Sequence, residues 1–530
     1  IFLLGCTVWH SCLVIPFVLS VLVASRVNLH IFFTIYTISG IGLIGYGVAS
    51  HLLSLRRHRP ASFNMARSPL MVLLAVLLSY YAFIIYVIPV YYSYDAVAYY
   101  LPYARGILAY GGIPHDYREL CLFMGEPSTS GGPPGIILLY TYAMYLFPGA
   151  ITFKLLPLLF LLIVVSATYK VGEVIFEDRK IALASASLAA SVPALYVFVG
   201  STPYNLEIGL AAYYLTTVYL ALRYILTGGR SWALFLGLSL SLTMLSVRYG
   251  YAYAVPILIL LSLTVRRPLR SLLPAALVAA IGVFEAWRGA GLAVGINMWI
   301  LAILLFLVSR YHEDIGQAEV FKDLKHILAG LVGTSCWYII NVFRFGSPFY
   351  PPIFLFLSPE FSDSLRWAVE VRDAIYGAQL VKYMTFHEVM TGIPRLFIAP
   401  LTGCLLITCG CLGIANLILS RARGGWRDRY VLILYLLLVE LIMWMWETHG
   451  DLYMNRHLLH ITCIISILSA YGLVSTLRKA GVEHVDGPIF VFSSALFSHM
   501  QWNYISFDMS RFVIWRSKMF LIPGLPAGMP

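Results

Sequence analysis

Apolar runs of about twenty residues, separated by short polar joints, fill most of this chain. They lie near 2–25, 30–54, 69–91, 150–176, 181–200, 206–226, 232–247, 249–265, 271–288, 290–309, 326–343, 394–419, 430–446, 457–476 and 488–506. A helix rises 1.5 Å per residue, so runs of this length match the ~30 Å hydrocarbon layer and predict roughly fifteen crossings. The runs are continuous and do not alternate, which excludes a transmembrane β-barrel. Inside a bilayer the only other way to pair every backbone N–H and C=O is the helix. One further apolar stretch, 136–148, is too short and interrupted to span and suits a helix lying in the interface.

Composition agrees. Hydrophobic residues make up 60% of the 530 and charged residues 12%, with a mean hydropathy of +0.82, too little polar surface to coat a water-soluble fold. The expected class is an all-α polytopic membrane protein. The first run lacks a basic stretch and a small-residue cleavage site and is followed closely by a second, so a removable signal peptide is not expected. The eight Cys residues form no CxxC pair and read as small core residues.

The formal charge of +11 changes the picture by where it sits. Lys and Arg form no stripe or tail of the kind that binds nucleic acid. Counting sides alternately puts Arg56/Arg57/Arg59, Arg179/Lys180, Arg230, Arg266/Arg267/Arg270, Arg310, Arg421/Arg423/Arg427/Arg429 and Arg478/Lys479 on one face, as the positive-inside rule requires of a cytoplasmic face. The opposite, outer face receives the segments 92–149, 344–393 and 447–456. Loops that long among terse connections carry function. No inverted repeat of the transporter kind is visible.

The outer segments hold the candidate chemistry. The third run ends at Asp95, followed by Tyr99, Tyr100 and Arg105 on an expected interfacial helix. A carboxylate there could be a general base on an acceptor hydroxyl or amine, a metal ligand, or the N-cap of that helix. Downstream, Gly131-Gly132-Pro133-Pro134-Gly135 leads into the 136–148 helix.

The order Asp95-x-x-x-Tyr99-Tyr100-x-x-x-Ala104-Arg105-Gly106, then Gly112-Ile113-Pro114, then a Pro133-Pro134-initiated helix ending Leu146-Phe147-Pro148-Gly149, resembles the first outer loop of the C-type (GT-C) glycosyltransferases, nearest the protein O-mannosyltransferase and aminoarabinose-transferase branch. The resemblance extends to Gly237 through Arg248-Tyr249, to Asn341 through Arg344 and Pro351, and to Asn455-Arg456-His457. It implies a GT-C-like helix bundle in which Asp95 is the catalytic carboxylate. It also implies a sugar donor carried on polyprenyl or dolichyl phosphate, and a protein, lipid or glycan acceptor at the outer face of the cell membrane.

Under that resemblance Arg248 and Arg456, at outward ends of runs, are the expected phosphate ligands, since guanidinium presents a planar fork of donors; Arg344 is a third. Glu207 opens the 206–226 run from the outer side, where related enzymes place a second acid. Tyr249, Glu447, His449, Asp451 and His457 are expected to line the site with Tyr99, Tyr100, Arg105 and Pro133. A divalent metal stays open, although Tyr94 stands before Asp95 where many relatives carry a second acid.

The resemblance divides the chain into two extra N-terminal helices (1–60), a catalytic membrane module (61–480), and a last helix with its tail (481–530). The competing readings are a transporter or lipid flippase, which would need ionisable groups such as Glu173, Glu285 and Glu440 lining a path, and a non-catalytic assembly subunit.

Overall fold

A computed structural model describes residues 2–23, 27–57, 68–87, 100–113, 133–146, 151–192, 195, 206–247, 250–265, 269–287, 292–310, 319–345, 400–422, 429–447 and 459–498. All regular structure among them is helical. In chain order the helices are α1 (Phe2–Val23), α2 (Leu29–Arg57), α3 (Pro69–Val87), α4 (Leu101–Tyr110), α5 (Gly135–Leu146), α6 (Ile151–Phe176), α7 (Arg179–Ala190), α8 (Glu207–Thr227), α9 (Arg230–Met244), α10 (Ala254–Leu261), α11 (Leu269–Trp287), α12 (Leu292–Arg310), α13 (Val320–Gly330), α14 (Val332–Phe345), α15 (Pro400–Ala422), α16 (Tyr430–Glu447) and α17 (Leu459–Lys479). A last helix, α18, covers 486–498.

A helix stands at every position where the apolar pattern predicted a span. Six described helices are long and apolar enough to cross a membrane, and a bent pair makes a seventh. With its helical architecture, this makes the chain an all-α, multi-pass membrane protein. Several expected spans differ in detail: the run 249–265, for one, holds an α-helix of 8 residues, α10, between two short 3-10 turns. The run 181–200 begins as α7, whose 12 residues rise only about 18 Å. The run 326–343 is two helices, α13 and α14, bent by 60° at Leu331. The bend has a packing cause: Gly330 lies against Gly237 of α9, so closely that a Cβ on Gly330 would sit 2.5 Å from the Gly237 carbonyl carbon. Only small residues let two helix backbones meet this way.

The arrangement is layered by how much of each helix touches lipid. α8 and α17 are buried on nearly all faces and form the centre, as helices apolar all round must. On α2, Ile31, Ile35, Ile38 and Ile41 form an exposed stripe at i, i+4, i+7 spacing; on α12, Ile296, Trp299, Ile300, Ile303 and Leu307 form another. Such stripes are stable only against hydrocarbon. α15 and α17 cross through Gly410, Gly413, Ser469 and Gly472, where a Cβ on Gly472 would overlap the Cys409 carbonyl.

Ionic contacts fix one end of the bundle. Arg478, ending α17, donates to Asp178 at 2.7 Å, and Arg429 pairs with Glu177. Lys479 donates to Asn416 near the end of α15, and Tyr224, near the end of α8, donates to Asp323 of α13 at 3.3 Å. The basic joints at 179–180, 429 and 478–479, assigned to one face from charge alone, therefore meet. Asp178 also caps α7, accepting from the Lys180 and Ile181 amides at 2.8 and 3.3 Å. Burial raises its carboxyl, but the Arg478 hydrogen bond and charge and the two amides outweigh this and hold it below the ordinary value.

Candidate active site

The opposite end of the bundle gathers the start of α5, the start of α8, the end of α9 and the start of α17. Each approach has a sequence cause. Pro133 and Pro134 open α5, where a missing N–H costs nothing, and both are buried. Gly135 then donates its N–H to the Leu245 carbonyl at 2.9 Å, so close that any Cβ on Gly135 would overlap that oxygen. Gly209, on the first turn of α8, lets Ile136 of α5 lie against it; a Cβ there would be 2.5 Å from Ile136 Cδ1. Glu207 thus enters the bundle beside the start of α5, and it is 1% exposed. A carboxylate in the first turn of a helix is favoured by the helix dipole.

Two turns below Glu207, Tyr214 donates to Glu440 Oε1 at 2.8 Å. Glu440 Oε2 lies 2.9 Å from His460 Nε2, both side chains being fully buried. That approach falls within ion-pair distance but off the hydrogen-bond axis, so it counts as an electrostatic contact. The His460 ring stands edge-on to Tyr214, with centroids 4.4 Å apart, and to Tyr253 at 5.4 Å. His460 is the second residue of α17 and follows Arg456 by four positions. This constellation was not singled out from sequence. Its one visible signal was Glu440 in an otherwise apolar run; nothing in the sequence pairs it with His460.

Helices α4 and α5 are held by the two N-terminal helices and the turn between them. Gly111 ends α4 with φ +67°, a left-handed conformation that favours glycine, and its carbonyl accepts from Val27 N at 2.6 Å. Tyr142 and Tyr145 of α5 reach Thr37 at 2.7 Å and His30 at 2.5 Å on α2. Tyr36 stacks on Trp9 at 4.7 Å and stands edge-on to Tyr142 at 4.6 Å. On α1, His10 meets Tyr213 of α8 at 2.9 Å. Helices α1 and α2, given no role by the sequence, form an aromatic seam beside α5 and α8.

The expected site residues fall into three groups. Glu207 and Pro133 lie together at the gathered end, while Tyr100 is half-buried at the start of α4. Arg105 is exposed on α4, whose buried positions are Leu101, Tyr103, Ala104, Gly106 and Ile107; the described contacts do not bring it to Glu207. Arg344 and Glu447 occupy the last turns of α14 and α16. Asp95, Tyr99, Arg248, Tyr249, His449, Asp451, Arg456 and His457 lie outside the described residues, as do 499–530. Among the described residues no three His, Cys, Asp or Glu side chains group as metal ligands.

No family model and no curated protein matches the sequence. Among solved structures, the chain is similar to the oligosaccharyltransferase of Archaeoglobus fulgidus in the apo form. The TM-score is 0.41 at 15% identity, over 80% of this chain and 56% of that one. It is also similar to the archaeal oligosaccharyltransferase AglB from Archaeoglobus fulgidus in complex with an inhibitory peptide and a dolichol-phosphate, with a TM-score of 0.43 at 15% identity over 81% and 55%. The Archaeoglobus fulgidus enzyme tethered with an acceptor peptide gives 0.43 at 14% identity over 80% and 55%. The chain spans just over half the length of these structures. At these scores residue correspondences are undefined, and no role is transferred from them.

Proposed function

We propose that the chain is a GT-C type glycosyltransferase that moves a sugar from a polyprenyl- or dolichyl-phosphate donor to a protein, lipid or glycan acceptor at the outer face of the cell membrane. One observation carries this reading. Contacts at Gly135, Gly209 and His460 gather the start of α5 with Pro133, the start of α8 with Glu207, the end of α9 and the start of α17 at one end of the bundle, away from the end where the basic joints meet. Glu207 and Pro133, 74 residues apart in sequence, share that end through glycine contacts, and in the sequence Arg248 and Arg456 adjoin the end of α9 and the start of α17.

In this reading Asp95 accepts the proton of the acceptor hydroxyl or amine as that atom bonds to the anomeric carbon. The bond from that carbon to the donor phosphate oxygen breaks, and lipid phosphate departs with the electron pair. Arg248, Arg456 and Arg344 supply cations to the phosphate, stabilising the charge that grows on it. Glu207, desolvated at the mouth of α8, is the second acid. A lipid-anchored leaving group requires base and cations at the membrane interface, which is what long outer loops and helix ends provide.

The test is transfer by the purified full chain in nanodiscs containing a polyprenyl-phosphate sugar with radiolabel in the sugar. Asp95→Asn is expected to cut turnover by roughly 10²–10⁴, and full activity in Asp95→Ala removes it as the base. Uptake of label without covalent change would favour the transporter reading. That reading needs an accessible ionisable path, whereas Glu440 is sealed against His460 and Glu173 pairs with Lys170.

A further inference from the structure

We infer that a cavity between α1, α3, α6, α7 and α8 holds part of one acyl chain of an anionic phospholipid, whose phosphate rests on Lys170 and Arg179. The site belongs to the end of the bundle where the basic joints meet, away from Glu207, and does not depend on the glycosyltransferase reading.

The cavity measures about 250 Å³ and takes a wall from each of the five helices: Leu4 on α1, Leu74 on α3, Val165 on α6, Ala186 on α7 and Tyr219 on α8. Apolar walls of this kind hold water poorly, and an empty space forfeits the dispersion contacts of every wall atom. In a bundle surrounded by hydrocarbon, the apolar molecule at hand is a lipid tail. The space is too small for a whole phospholipid but takes a segment of one chain. A tail has a way in, since Phe2, at the edge, is 46% exposed, and Val72 and Val76 face outward on α3 beside Leu74.

The headgroup is argued from charge. Lys170 lines the same cavity, with its side chain 39% exposed. It stands six positions before the end of α6 at Phe176, about 9 Å inside the basic end. Its stem runs back toward that end, where Nζ donates to Glu173 at 2.5 Å and lies 5.3 Å over the Tyr169 ring, as a snorkelling lysine does. Among the described residues Glu173 is its one hydrogen-bond partner, and an ammonium has three N–H groups, so two serve a phosphate. Arg179, exposed at the first position of α7, precedes the cavity-lining Leu183 and Ala186 by four and seven positions, and so shares their face. Glu173 offsets one of these two cations, while Glu177 and Asp178 are engaged by Arg429 and Arg478. The rim is therefore net positive. The positive-inside rule assigns this end to the cytoplasmic leaflet, where anionic lipids concentrate.

The experiment places the full chain in phosphatidylcholine nanodiscs containing a minor fraction of phosphatidylglycerol with a diazirine in its acyl chain, irradiates it, and maps the adducts by mass spectrometry. Adducts are expected on 2–4, 71–74 and 165–170. Excess unlabelled phosphatidylglycerol should suppress them about fivefold more than the same excess of phosphatidylethanolamine. Ser166→Phe, which fills the cavity from α6, is expected to abolish them. Lys170→Gln combined with Arg179→Gln is expected to reduce them about tenfold.

Should Ser166→Phe fail to fold, the double glutamine variant, altered only at a half-buried and an exposed position, still decides the matter. Adducts spread evenly along the outward stripes of α2 and α12, or undiminished in a folded variant, overturn the site. Equal suppression by phosphatidylethanolamine overturns the anionic headgroup. None of these readouts uses sugar transfer, so this site and the glycosyltransferase reading stand or fall separately.

Discussion

Replacing Gly135 with Ala tests how α5 is seated. The added Cβ would overlap the Leu245 carbonyl oxygen and lie 2.9 Å from its carbon. Both atoms are backbone at the end of α9, so no flexible side chain can step aside. Either α5 retreats by about 1 Å, losing the Gly135 N–H to Leu245 C=O bond of 2.9 Å, or α9 unwinds its last turn. Overpacking a filled site costs about 1–3 kcal/mol and the hydrogen bond about 1 kcal/mol, so the expected loss is about 2–4 kcal/mol.

The loss is expected to appear first as hydrogen exchange over 135–146 and 240–247, then as a drop of several degrees in melting temperature. Under the proposed function, sugar transfer should fall with it, because the same contact seats α5 and Pro133 on the end of α9. Gly42→Ala is the control. It is exposed on α2 with open space around its Cβ, and alanine there is expected to be neutral or stabilising by up to about 1 kcal/mol. If Gly135→Ala exchanges, melts and transfers as wild type does, α5 is not docked on α9 and the gathered site loses its central contact.

Gly472→Ala is expected to cost about 1–3 kcal/mol by driving α15 from α17 at the Cys409 carbonyl, read as a lower melting temperature in detergent. Tyr142→Phe removes the contact with Thr37 at 2.7 Å and is expected to cost about 1 kcal/mol, with faster exchange over α5 and no change in the other membrane helices. Asp178→Asn tests the end where the basic joints meet. The folded carboxyl is held below the ordinary value of 3.8, so its extra contribution is fully present above the unfolded value and is lost as pH falls through the lower, folded one. The wild-type advantage over Asp178→Asn in melting temperature is therefore expected to be constant from pH 5 to 7 and to shrink below about pH 4. An advantage that grows on acidification contradicts the Arg478 assignment.

What could be read from the sequence divides along physical lines. Helix positions were legible because a lipid environment demands apolar runs with internally paired backbone, and the meeting of the basic joints at 179–180, 429 and 478–479 because Arg and Lys obey a charge rule that needs no knowledge of packing. The break at Gly330–Leu331 was not legible. A glycine in an apolar run is common in membrane helices, and its meaning comes from Gly237, nearly a hundred positions earlier, pressing against it. The role of the first two helices was hidden for the same reason: Trp9, Tyr36 and Tyr142 lie far apart in sequence, and only their ring contacts join them.

Glu440 shows the limit most clearly. As a single carboxylate in an apolar run it was a candidate member of a transport path, and nothing in the sequence showed a buried partner. That partner, His460, stands twenty residues away on the next helix with no motif to mark it. Of the candidate chemical residues, Glu207 and Pro133 lie at the same end because Gly135 and Gly209, which carry no functional group, allow α5 to touch α8 and α9. The chemistry of a site can be read from side chains that carry function, but its assembly in a membrane bundle depends on the residues that carry least. The glycines at these crossings are accordingly where substitution should separate a folded helix bundle from an assembled site.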